Sequence, residues 1–238
     1  MGVAAISGTA AAAIAAAGTV AYAALSPGSQ LFGSTLIAPR HADEIALTYD
    51  DGPNPAVTPA LLEVLAKHNV RAAFFLIGSF VRQCPQLVRE IRGAGHIVGN
   101  HTMTHPWLAW QSDARIREEL HGASAAIEDV LGEPVRYFRP PHGARRPYVL
   151  RVAREMGMTP VQWNLICGDW NPLGVDVLYR RMDRGVLRNR GRGFATNIVL
   201  HDGGQEGLGA PRMDTVRATE RLLVEHAEAK FVGLDAWS

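Results

Sequence analysis

Six consecutive apolar residues, Ala72-Ala73-Phe74-Phe75-Leu76-Ile77, constrain this chain more than any other feature. The run stops at Gly78 and is too short for an ordinary helix. A strand with no polar face must be covered on both sides, which suits a parallel sheet between helices. The rest of the sequence agrees. Strand-like stretches at Ile45–Tyr49, Ile97–Gly99, Val135–Phe138, Thr159–Leu165, Asn197–Leu200 and Phe231–Leu234 alternate with helical patterns. The helical spacing predicts helices over Thr58–His68, Pro85–Arg92, Ser112–Leu131, Pro147–Met156, Val175–Leu187 and Pro211–Glu228. Thr58-Pro59 reads as a helix start, a capping hydroxyl followed by proline at the first helical position. This is an α/β chain.

The polar clusters fall just after strands: Asp50-Asp51, His101 to His105, Arg139, Asp169 and His201. In an α/β barrel the loops at the strand carboxyl ends converge on one mouth, bringing five distant groups together. A doubly wound open sheet is the second choice; it gathers ligands at strand carboxyl ends too. Asp50 and Asp51 end an apolar strand, and Gly52, Pro53 and Pro55 stop it from continuing. Neighbouring strand side chains point opposite ways, so one acid can hold a metal while the other handles protons. The plainer reading is Asp-Gly-Pro turn chemistry.

His101 and His105 stand four residues apart, a weak signal alone among nine histidines. Joined to a carboxylate from a neighbouring strand end, they form a donor set for a divalent transition metal, zinc most readily. Such a metal acidifies water and polarises a carbonyl. The remaining aspartate can take a proton and His201 can give one, which describes hydrolysis of an amide or ester.

Composition excludes more than it assigns. The 238 residues carry a formal net charge of +1, with no basic block for nucleic acid. Cys84 and Cys167 define neither a disulfide framework nor a metal spacing. From Val3 to Leu25 no residue is charged, and Ala21-Tyr22-Ala23 resembles a small-x-small cleavage site. Residues 1–38 are therefore expected to be an apolar anchor or export segment plus linker, and residues 39–238 the catalytic domain. His96 is expected to be structural, and His41, His68, His121 and His226 solvated. Trp107, Trp110 and Trp163 are expected in the core or a groove wall. Arg188, Arg190 and Arg192 read as a solvated loop that an anionic glycan could meet.

From about residue 45 to 234 the sequence resembles the polysaccharide deacetylases with a NodB-type homology domain, carbohydrate esterase family 4. Five motifs carry the resemblance: Thr48-Tyr49-Asp50-Asp51-Gly52-Pro53, His101-Thr102-Met103-Thr104-His105, Arg139-Pro140-Pro141-His142-Gly143, Asp169-Trp170 and Val199-Leu200-His201. The resemblance implies Asp50 as base, His201 as acid, Arg139 orienting the base and Asp169 tethering the acid. It implies Asp51, His101 and His105 as ligands of one divalent metal, zinc first, with cobalt or nickel as alternatives. Pro141, His142, Trp170 and Leu200 become the positions touching substrate, and a backbone N–H after the prolines helps hold the oxyanion. His142 stands where many members have an aromatic residue, Ile166 where a further Asp is frequent, and Val199 where Leu is usual.

The implied fold is a distorted (β/α) barrel of about seven parallel strands with the active site at their carboxyl ends. The implied reaction removes acetyl groups from a chitin- or peptidoglycan-like N-acetylhexosamine polymer. Alternatives are an O-acetyl xylan esterase and a glycan-binding module that lost catalysis; the intact acids and histidines argue against the latter. The expected partner is a glycan, with no nucleic acid and membrane contact only through the N-terminal segment. The expected location is extracytoplasmic, membrane-anchored or secreted.

Overall fold

The computed structural model describes residues 8–238. Seven parallel strands form a curled half-barrel, and a short eighth lies beside the first. In chain order they are β1 (Glu44–Gly52), β2 (Ala73–Leu76), β3 (Ile97–Asn100), β4 (Tyr137–Phe138), β5 (Thr159–Pro160), β6 (Leu165–Ile166), β7 (Thr196–His201) and β8 (Lys230–Phe231). Across the sheet they run β5-β4-β3-β2-β1-β7-β6, with β8 paired to β1.

The helices are α1 (Gly8–Leu25), α2 (Thr58–Lys67), α3 (Gly78–Gln83), α4 (Pro85–Gly93), α5 (Asp113–Leu131), α6 (Pro147–Glu155), α7 (Val175–Gly191) and α8 (Met213–Glu225). Ser112 caps α5 by accepting from the Arg115 N–H at 3.2 Å, and Gly132 ends it at φ 69°. The predicted start of α2 is corrected. Val57 holds the cap position, and the Thr58 hydroxyl is drawn instead to the buried carboxylate of Asp202. Helix α7 continues to Gly191, so Arg188 and Arg190 lie on a helix rather than in the expected loop.

Strand alternation produces two cores. Ile45, Leu47 and Tyr49 of β1 face the outer layer with Phe74, Leu61 and Leu222. Ala46 faces inward with Ala73, Phe75, Tyr137, Val161 and Leu234. Thr48 and Asp50 share the parity of Ala46 and continue the inner column toward the strand ends.

The expected single strand Thr159–Leu165 is two strands. β5 pairs with β4 and β6 with β7, at opposite edges of the sheet. The chain crosses the opening between them because other groups claim its backbone. Leu36 pairs with Val161, the Gln162 N–H donates to the Leu36 carbonyl at 2.8 Å, and the Asn164 side chain accepts from the Asn197 N–H at 2.8 Å.

The segment after α1 is tied to the domain. Arg145, fully buried, donates to the carbonyls of Gly143, Ser26 and Ser29 at 2.9, 2.8 and 2.7 Å. Helix α1 is itself mostly exposed, with Ala23 and Ala24 buried. Among the described residues no helix is long and apolar enough to cross a membrane, and the expected span before Gly8 lies outside them. Arg145→Ala removes three hydrogen bonds at roughly 1 kcal/mol each, so a melting temperature lower by roughly 5–10 °C is expected. Deleting residues 1–22 should leave melting unchanged, whereas deleting 1–38 should lower it; calorimetric melts check both.

Candidate active site

The parallel register sets the site's first contact. Asp50 at the end of β1 lies directly beside His201 at the end of β7, and beside Phe75 of β2. Arg139 follows β4 and reaches across the inner face. Its Nη1 donates to Asp50 Oδ1 at 2.8 Å and to the Thr48 hydroxyl at 2.7 Å, while the guanidinium lies 4.2 Å from the Phe75 ring centroid. The arginine is fully buried, so its charge is useful there only through this pairing.

Asp51, His101 and His105 converge, with one potential ligand atom from each within 4.8 Å of the others. Asp51 Oδ1 lies 3.4 Å from His101 Nε2 and 3.1 Å from His105 Nε2. His101 Nδ1 sits 2.8 Å from the Arg139 carbonyl. A carbonyl only accepts, so Nδ1 carries the proton and Nε2 keeps its lone pair for the cluster. Asp51 Oδ1 is buried with no hydrogen-bond partner among the described residues. Burial opposes charge on Asp51, but His101 and His105 outweigh it and hold the carboxyl well below the usual range. Two imidazole nitrogens and one orphaned carboxylate oxygen fit a divalent transition metal.

His201 and Asp169 form the second pair. Asp169 Oδ1 accepts from His201 Nδ1 at 2.8 Å, and Oδ2 accepts from the His201 N–H at 2.7 Å and the Thr215 hydroxyl at 3.0 Å. Burial disfavours the imidazolium, yet Asp169 carries the pKa of His201 up to about 9. The Trp170 ring stands edge-on to His201 at 5.3 Å.

These groups open into one cavity of about 820 Å³, lined by Asp50, Asp51, His101, His105, His142 and His201 and by the loop Gly204–Arg212. Trp163 and Trp170 also line it. His142 stacks on Trp107 at 3.9 Å, and burial with the neighbouring His105 and His101 takes its pKa down to about 4. The N–H groups of Gly143 and Ala144 bond back to Pro140 and Pro141, while that of His142 has no backbone acceptor among the described residues. Leu200, expected at the substrate, lies in the outer core; its strand neighbour Val199 lines the cavity. Pro141 is buried beneath His142 rather than on the cavity wall.

Of the other expectations, His96 is buried and accepts from the Ala72 N–H at 3.2 Å, with burial taking its pKa to about 4. His226 is not solvated but buried, 2.9 Å from Asp183. Trp110, 74% exposed, belongs to neither core nor cavity wall.

Several supporting residues carried no motif signal of their own. Asn100 holds the histidine loop by accepting from the Thr102 N–H at 2.8 Å and donating to the Leu120 carbonyl at 2.8 Å. Asn54 donates to the carbonyls of Asp202 and Ala210 at 2.8 and 2.9 Å. Asp202 itself is fully buried, and burial followed by the nearby acid charges pushes its pKa to about 7. The only available cue was its place after His201 at a strand end.

Residues 38–161 match the sequence family described as polysaccharide deacetylase. The chain belongs to that family of enzymes. It is 39% identical over 163 residues to a chitooligosaccharide deacetylase of Sinorhizobium fredii, covering 68% of this chain and 73% of the relative. It is 34% identical over 189 residues to a peptidoglycan-N-acetylglucosamine deacetylase of Bacillus cereus, covering 79% of this chain and 83% of the relative. Among solved structures, the Bc1960 peptidoglycan N-acetylglucosamine deacetylase in complex with 4-naphthalen-1-yl-N-oxidanyl-benzamide superposes with a TM-score of 0.76 at 28% identity. That match covers 85% of this chain and 91% of the other.

A close approach behind Asp51 yields a direct test. A Cβ on Gly203 would stand 1.9 Å from the Asp51 carbonyl oxygen. Gly203→Ala must therefore displace the β1 end, with an overpacking cost of roughly 1–3 kcal/mol. Expected is a folded protein by circular dichroism that has lost most of its acetate release.

Proposed function

We propose that this protein is a metal-dependent deacetylase of N-acetylglucosamine-containing polymers, chitooligosaccharide- or peptidoglycan-like, acting outside the cytoplasm. The observation that carries the reading is the convergence of Asp51, His101 and His105 beside two separately held proton-transfer groups, Asp50 on Arg139 and His201 on Asp169. The relatives named as chitooligosaccharide and peptidoglycan deacetylases support it. The uncharged N-terminal stretch fits an export segment ahead of a catalytic domain covering residues 39–238.

Asp51, His101 and His105 would hold the metal, zinc first among candidates and cobalt or nickel next. When bound it supplies Lewis acidity to the acetyl carbonyl and makes water a better nucleophile. Asp50 takes the proton of the attacking water, held in its acceptor role by Arg139. The His142 N–H, which has no backbone acceptor among the described residues, would donate to the developing oxyanion. His201 Nε2 gives its proton to the departing amine as the carbon–nitrogen bond breaks, leaving acetate and a free amino sugar. Trp170 and Trp163 wall the acetyl pocket. An amine leaves poorly unless protonated, which makes a strongly basic, Asp169-tethered imidazole suited to amides more than to xylan acetates.

Metal content and rate should separate the two acids. His101→Ala should lose bound metal and acetate release together. Asp50→Asn should keep the metal while the rate falls by roughly two to four orders of magnitude. Elemental analysis with an acetate assay on chitooligosaccharides reads both. Full metal content in His101→Ala would remove the ligand assignment.

The acid form of His201 is the working one, so activity should fall as pH rises through its pKa of about 9. Asp169→Asn removes the largest of the charges that raise this pKa and leaves burial opposed only by the smaller effects of Asp51 and Asp50. The alkaline limb of the pH–rate profile should therefore move down. An unmoved limb would mean another group sets it.

A further inference from the structure

A groove of about 850 Å³ leads away from the active-site cavity, and the two share Trp163, Ile166 and Trp170 as a common wall. Its opposite wall is α7, which presents Arg181, Arg184 and Arg188 to the groove. Their spacing of three, four and seven residues puts them on one helix face. Arg181 is committed, donating to the Cys167 carbonyl at 2.9 Å. Arg184 and Arg188 are exposed, and neither has an ion-pair partner among the described residues. Two residues further along the same helix, Arg190 does have one in Asp43, at 3.4 Å.

Among the described residues lining the groove none is acidic, so the two charges meet no carboxylate there, and Ile166, 47% exposed, adds an apolar side chain to the shared wall. Trp170, 46% exposed, adds an aromatic face of the kind on which a sugar ring lies. A polymer extending from the reacting sugar in this direction meets an apolar wall and two free guanidinium groups. A neutral acetamido sugar gives those groups nothing to pair with, whereas a carboxylate accepts both forks of an arginine.

We propose that this groove is a subsite for a carboxylate-bearing sugar next to the one deacetylated, so that the preferred polymer is an acidic N-acetylhexosamine glycan of peptidoglycan type rather than neutral chitin. The proposal rests on the deacetylase reading above and narrows its substrate. Arg184 and Arg188 determine specificity and take no part in the bond-breaking step.

The test uses zinc-loaded full-length protein and two probes. One is a set of soluble peptidoglycan glycan fragments; the other is the same fragments with their carboxylates amidated. Wild-type protein should favour the acidic fragments, with a preference that fades at high salt. The double variant Arg184→Ala/Arg188→Ala should lose roughly tenfold in kcat/KM on the acidic probe, mostly through KM, as expected for two exposed ion pairs. Activity on the amidated probe should be unchanged, and the salt dependence should flatten. Equal losses on both probes, or no loss on the acidic one, would overturn the subsite. Calorimetric binding of both probes is measured in parallel. If no acetate is released from either probe, the deacetylase reading fails, and a charge-dependent affinity abolished in the double variant still decides the groove.

Discussion

A single guanidinium without access to water holds this structure's working end together. Arg139 comes from β4, grips Asp50 and Thr48 on β1, lies over Phe75 of β2, and offers its own carbonyl to His101 after β3. Four consecutive sheet positions are thereby fixed to one residue. Nothing apolar of the same volume could replace it, because the Asp50 charge would remain buried and unpaired, a situation worth several kcal/mol. The Nε and Nη2 groups find no partner among the described residues, so the arginine is committed to Asp50 at a cost.

The backbone shows the same commitment. Five non-glycine residues among those described have positive φ, and four of them, Asp51, Thr102, His105 and His142, belong to the site. Such conformations cost on the order of 1–3 kcal/mol each and persist only where surroundings over-determine them. Here the surroundings can be named. Asn100 holds the Thr102 N–H, the Thr102 hydroxyl holds the His105 N–H at 3.0 Å, Gly203 leaves room behind Asp51 that no Cβ could share, and Gly52 does the same for the Asp202 carboxylate. The ligand directions are set by local strain within a stiff frame.

Much of this was legible in the sequence, for specific reasons. Long apolar runs such as Ala72–Ile77 admit one interpretation, and the charged residues that interrupt them at strand ends mark the mouth. The motif residues Asp50, Asp51, His101, His105, Arg139, Asp169 and His201 do gather, because parallel strands bring their carboxyl ends to one side. What escaped depended on long-range partners. The break within Thr159–Leu165 requires Leu36 and Asn197; the loss of Thr58 as a cap requires Asp202; the burial of His226 requires Asp183. Leu200 was misplaced for a different reason: strand parity sends Val199 to the cavity and its neighbour to the core.

The pairing of Leu36 with Val161 has a consequence for how the protein behaves among copies of itself. A half-barrel has an opening, and the backbone crossing it presents hydrogen-bonding groups that a sheet edge offers to any passing strand. Leu36 occupies that position from within the same chain, donating its N–H to the Pro160 carbonyl at 2.8 Å and receiving that of Gln162. The stretch after α1 thus acts as a built-in blocking strand. A chain stripped of it would carry a template for self-association beside an otherwise intact site, so colloidal behaviour and chemistry could part company.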